Sequence, residues 1–240
     1  MQRRPGEVWF LPPQTEDGGD GKSRRHVLLT SCDEGEGGTV AYASTKTTER
    51  AFGASSLFVN PSLSRGSGFT KPTHIYPGRL VLAASRDFLR MTGRLVAELP
   101  ELRSALMLAL GIGTGCARRR AETAASWRGK VVRFSSGFRE AVGYSFGIVL
   151  TEHRYSAWRR YQIIVPMDDL AMSQPVEGDI PITSGTWFRD VSRTMMGVLL
   201  SVSEIQSVFH RDEIESWTGA TIDDSALAVL EAAIERTFLV

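Results

Sequence analysis

RGKVVRF at residues 128–134 echoes the PGEVWF of residues 5–10, and that echo decides how the whole chain is read. It is followed by others in the same order. GIVLTE (147–152) echoes HVLLTS (26–31), and RYQIIVPMDD (160–169) echoes TVAYASTKT (39–47). WTG (217–219) echoes MTG (91–93), and SALAVLEAAI (225–234) echoes SALMLALGI (104–112). The offset stays within a few residues of about 120 throughout. Five short echoes in register predict an internal duplication: a unit at 1–113, a unit at 128–240, and a linker over 112–127, where Gly, Ala, Ser and Thr dominate.

Within the first unit the periodicity is mostly that of strands. GEVWFL (6–11), RRHVLLTS (24–31), TVAYAST (39–45), SLFVN (56–60) and RLVLAA (79–84) are strand candidates, separated by Gly-, Pro- and Asp-rich turns. The period changes in ELPELRSALMLALG (98–111), where Leu99, Leu102, Leu106, Ala109 and Leu110 fall on one helical face. Pro100 suits the first turn and Gly111 the stop. In the second unit SSGFREAVG (135–143) reads as a polar loop. Ala226, Leu227, Leu230, Ala233 and Ile234 make the stripe of a last helix capped by Asp223 or Asp224. Short strands around one C-terminal helix in about 110 residues predict a mainly β (α+β) fold, a small closed or half-closed barrel occurring twice.

The 240 residues carry a net charge of +1, so no global field draws the chain to nucleic acid or to anionic lipid. The cations are mostly arginine; lysine stands only at Lys22, Lys46, Lys71 and Lys130. Cys32 and Cys116 lie far apart without metal-ligand spacing, so a cytoplasmic protein without metal or other cofactor is expected. No apolar stretch approaches a membrane span, and no signal peptide is seen.

KSRRHVLLTS (22–31) brings Lys22, Arg24, Arg25 and His26 to the mouth of a strand. Together with GEVWF, the Gly-rich loop between them, the strand ending in Ser44-Thr45, and the TG that precedes the helix, this stretch resembles the MazF/PemK toxin family. The likeness covers about residues 5–111, and 128–236 more weakly. It implies SH3-like barrels, each with a C-terminal helix, here as an intrachain pseudo-dimer. It also implies a type II toxin that cuts single-stranded RNA without a metal, and an antitoxin protein as partner. Growth inhibition and further self-association belong to the same expectation.

The family's Arg-Pro pair falls on Arg25 and His26, and its threonine on Ser44 or Thr45. Arg25 would hold the nonbridging phosphate oxygens, the hydroxyl would add a hydrogen bond, and His26 would serve as acid or base, although strand alternation points it away from Arg25. Arg24 and Lys22 would line the substrate path. Trp158, Arg159 and Arg160, in SAWRRYQ (156–162), would stack bases and hold phosphates. The second unit has Phe146 at the place of Arg25, and Met167 or Asp168 at the place of the hydroxyl, so it reads as degenerate. A second reading keeps the fold without catalysis: a module that grips an antitoxin-like peptide, a nucleic acid, or a protein target such as gyrase, in the manner of the related CcdB toxins.

Overall fold

The computed structural model describes residues 2–13, 22–45, 56–112, 127–151, 161–169, 175–176, 178–183, 187–189, 197–209 and 213–238. The chain divides into two compact units, Met1–Ala109 with Phe238–Val240, and Leu110–Thr237. The fold is mainly β, and each unit carries its own sheet.

In the first unit the strands are β1 (Glu7–Leu11), β2 (Arg24–Leu28), β3 (Gly38–Ser44), β4 (Leu57–Val59), β5 (Thr73–Ala83) and β6 (Arg90–Arg94). They form one antiparallel sheet in the order β4-β5-β3-β2-β1-β6. β3 is buried along its whole length, as befits a strand covered on both faces. Helix α1 (Leu99–Leu110) follows, with Leu102, Leu106, Ala109 and Leu110 of the expected stripe buried. Gly111, in the left-handed region at φ 71°, ends it.

In the second unit the elements are β7 (Lys130–Phe134), α2 (Ser136–Val142), β8 (Phe146–Val149), β9 (Tyr161–Asp169), β10 (Ile180–Ile182), β11 (Phe188–Arg189), β12 (Val198–Leu200), β13 (Gln206–Phe209), β14 (Ile214–Ile222) and α3 (Asp224–Thr237). The sheet order is β10-β12-β9-β8-β7-β14-β11, with β13 also paired to β9. Asp223 caps α3, its Oδ1 accepting from the backbone N–H and the hydroxyl of Ser225. These bonds, with Arg189 beside it, hold the Asp223 carboxyl down at about 2. All five residues of the expected α3 stripe are buried.

One sequence expectation is corrected here. SSGFREAVG is not a loop; seven of its residues form α2, closed by Gly143 in the left-handed region. Phe138 anchors it, its ring 5.0 Å from that of Phe134. A helix of two turns offers one anchor, too few to register as a period.

The two sheets share particular bonds. Gly6 N–H donates to the Leu28 carbonyl, and Gly129 N–H to that of Val149, each at 2.8 Å. The Gly6 carbonyl accepts from Leu95, and the Gly129 carbonyl from Ile222, again at 2.8 Å. Both glycines have positive φ, and a Cβ on Gly6 would lie 2.4 Å from the Leu95 carbonyl oxygen, which explains glycine ahead of the first strand. Thr92 Oγ1 donates to the Val8 carbonyl at 3.2 Å, and Thr218 Oγ1 to the Val131 carbonyl at 3.0 Å. Along β5 the pairing with β3 shifts between Ala41 and Tyr42. In the second sheet β9 is paired by two separate strands, β13 over 161–164 and β12 over 167–169. Pro166 falls in that gap, where β12 and β13 ask no N–H of it.

Among the described residues no helix is long and apolar enough to cross a membrane.

Candidate functional site

The register around β2 sorts the sequence-predicted residues onto two faces. Phe10 pairs with Arg25 and Trp9 with His26 across β1 and β2; His26 pairs with Tyr42 across β2 and β3. Side chains alternate, so His26, Tyr42 and Ser44 share one face with Arg24, while Arg25 occupies the other with Phe10 and Ala43. Thr45 is a bend residue just past the end of β3. Thr45 is exposed and Ser44 is buried. The register therefore sets Ser44 on the face opposite Arg25 and leaves Thr45 exposed beyond the strand end.

His26 is fully buried. Its Nδ1 lies 3.3 Å from the Arg24 carbonyl, which can only accept, so the neutral ring carries its proton there. Nε2 has no hydrogen-bond partner among the described residues. Burial above all pushes its pKa down to about 4; the Arg24 carbonyl pulls the other way, and the cations of Arg79 and Arg24 add smaller downward pushes. The ring meets Tyr42 edge-on at 5.6 Å, Tyr42 stacks on Tyr76 at 6.2 Å, and Tyr76 stacks on His74 at 6.1 Å. Arg79 lies 4.1 Å over the Tyr42 ring. His26 is thus one end of an aromatic row through the sheet, out of reach of any solute. The i, i+2 spacing of His74 and Tyr76 is the sequence signal for that row.

Arg25 is half-buried, with its guanidinium carbon 4.7 Å from the centroid of Phe10. Its Nε is buried and unpartnered among the described residues. Burial, and then the charge of Arg90, lower its pKa, but an arginine stays protonated regardless. A charged guanidinium fork is suited to a phosphate or carboxylate. Lys22 is exposed and Arg24 half-buried at the same strand mouth. Trp158, Arg159 and Arg160 lie outside the described residues, as do residues 113–126 of the expected linker. Among the described residues no group of three His, Cys, Asp or Glu side chains could hold a metal ion.

The second unit has a different row at the equivalent place. Val131 pairs with Ile148 and Arg133 with Phe146, so Phe146 stands where Arg25 does. Val165 pairs with Ile148 as Ala41 does with Val27, which sets Asp168 at the place of Ser44. Arg133 lies 5.6 Å over the Phe146 ring: cation and ring have exchanged strands.

No family model matches the sequence, and no curated protein matches it. Among solved structures, the Mycobacterium tuberculosis toxin MazF-mt6 is similar over 45% of this chain and 98% of its own, at 19% identity and a TM-score of 0.34. An endoribonuclease from a mycobacterial species is similar over 46% of this chain and 93% of its own, at 10% identity and a TM-score of 0.35. A mycobacterial endoribonuclease in complex with its cognate antitoxin is similar over 45% of this chain and 95% of its own, at 11% identity and a TM-score of 0.35. Similarity at this level carries no functional argument by itself.

Proposed function

We propose that the chain is the toxin of a type II toxin–antitoxin pair, a metal-independent endoribonuclease that acts on single-stranded RNA in the cytoplasm. The observation that supports it most is the Arg25 guanidinium, held over the ring of Phe10 at the mouth of β2, with Thr45 exposed at the end of β3. The resemblance of GEVWF, RRHVLLTS and the Ser44-Thr45 strand end to the MazF/PemK family gives that geometry its chemistry. The ribose 2′-OH loses its proton and attacks phosphorus, and the P–O5′ bond breaks. A 2′,3′-cyclic phosphate and a 5′-hydroxyl result. Arg25 holds the nonbridging oxygens as their charge develops, and Thr45 donates a further hydrogen bond. His26, neutral and buried, positions the mouth of β2 through the Arg24 carbonyl and takes no part in proton transfer.

In this reading each unit is an SH3-like barrel, and the pair stands in for the two subunits of a homodimer. The repeated Gly6/Gly129 and Thr92/Thr218 bonds support a duplication with boundaries at 1–113 and 128–240. The first unit carries the active site; Phe146 at the place of Arg25 makes the second non-catalytic. An antitoxin protein is the partner. Expression in a bacterial host tests the whole proposal. Growth arrest with wild type, relieved by co-expression of a small protein encoded beside it and absent with Arg25→Ala, is the expected outcome. Arrest that persists in Arg25→Ala favours the non-catalytic binding module.

A further inference from the structure

Phe10 has two cross-strand partners, Arg25 on β2 and Arg90 on β6. The three side chains form a row over three neighbouring strands. Both guanidiniums lie against the one ring, at 4.7 Å for Arg25 and 5.1 Å for Arg90. The charge of Arg90 is felt at Arg25, and it disfavours the protonated form there. No carboxylate is recorded against either guanidinium among the described residues. Two like charges held against one aromatic ring repel, and an anion that bridges them relieves that repulsion.

The second unit lacks this arrangement. Its row is Phe146, Arg133 and Ser216, with one guanidinium and serine at the position of Arg90. A pair of arginines is therefore not a requirement of the sheet at this place.

We propose that Arg90 is a second phosphate-binding residue, and that Arg25 and Arg90 together grip one phosphodiester of single-stranded RNA over Phe10. The proposal rests on the ribonuclease reading above and adds a residue to it. Arg90 stands on an exposed strand at the edge of the sheet, so its replacement leaves the core untouched.

The test is binding of a single-stranded DNA oligonucleotide, which lacks the 2′-OH and cannot be cut, as salt is varied. One lost phosphate contact on a single strand lowers the slope of log affinity against log salt by about 0.7. Arg90→Ala is expected to show that loss and to bind about tenfold more weakly at 50 mM salt, while Arg90→Lys keeps the slope. Equal melting temperatures for the variants and wild type confirm that the fold is unaffected. If Arg90→Ala binds as wild type does while Arg25→Ala loses the contact, Arg90 is a bystander and the ribonuclease reading stands. If wild type itself shows no salt-dependent binding, the phosphate grip is refuted for both arginines, and the ribonuclease reading fails with it.

Discussion

Phe10 and Arg25 face each other across β1 and β2, and the guanidinium carbon rests 4.7 Å from the ring centroid. The next pair along, Trp9 and His26, points to the opposite side of the sheet. One step along a strand thus separates a charged, accessible group from a buried, neutral one, although the sequence sets them side by side as RRH.

That separation gives a pH dependence. In the unfolded chain His26 titrates near 6.5, and in the folded chain at about 4. The unfolded state therefore binds more protons between these values, so stability rises with pH across that window and is lost as pH falls through it. The loss owed to His26 is about 2 kcal/mol by pH 5 and about 3 kcal/mol by pH 4. Urea denaturation from pH 7 to pH 4, wild type beside His26→Phe, measures it. The variant, which keeps an aromatic ring against Tyr42, is expected to lose that much less.

The two hydroxyls of the β3 end separate in the same way. Thr45→Ala is expected to lower RNA cleavage roughly 100-fold, the worth of one donor aimed at developing charge. Ser44→Ala is expected to lower the melting temperature instead, because Ser44 is buried on the face of Tyr42. Single-turnover cleavage rates and thermal melts on both variants decide the matter. A slow Ser44→Ala beside a normal Thr45→Ala would reverse the assignment.

In the second unit Arg128 is a buried tie. Its guanidinium donates to the carbonyls of Leu110 and Leu150 and pairs with Glu231 at 2.6 Å. Arg128→Ala strands the Glu231 carboxylate and is expected to destabilise the unit by about 3–5 kcal/mol. Arg128→Met combined with Glu231→Leu is expected to recover most of that, since it removes both charges and keeps the volume. Chemical denaturation of the two variants gives both numbers.

How much of this was legible before the structure depended on distance along the chain. Both long helices were, because the Leu102–Leu106–Leu110 and Ala226–Leu230–Ala233 stripes are local patterns over three turns. Arg25 is singled out by its motif, but its place over Phe10 depends on the pairing of β1 with β2. The choice between Ser44 and Thr45 was not, because it depends on the pairing of His26 with Tyr42, a long-range contact. Arg90 was invisible for the same reason: it reaches Phe10 only through the pairing of β1 with β6, whose register also shifts between Val8 and Trp9. His26 looked catalytic by residue type alone; its burial is set by Tyr42 and the rest of the sheet around it, which no local window contains.

The measurement closest to the central claim is cleavage of a long single-stranded RNA in EDTA, wild type beside Arg25→Ala. The account predicts cuts at a short recurrent motif, leaving 2′,3′-cyclic phosphate ends, with a rate roughly 100- to 1000-fold lower in the variant. Folded wild-type protein that leaves the RNA intact, or an Arg25→Ala variant that cuts as fast, would contradict it.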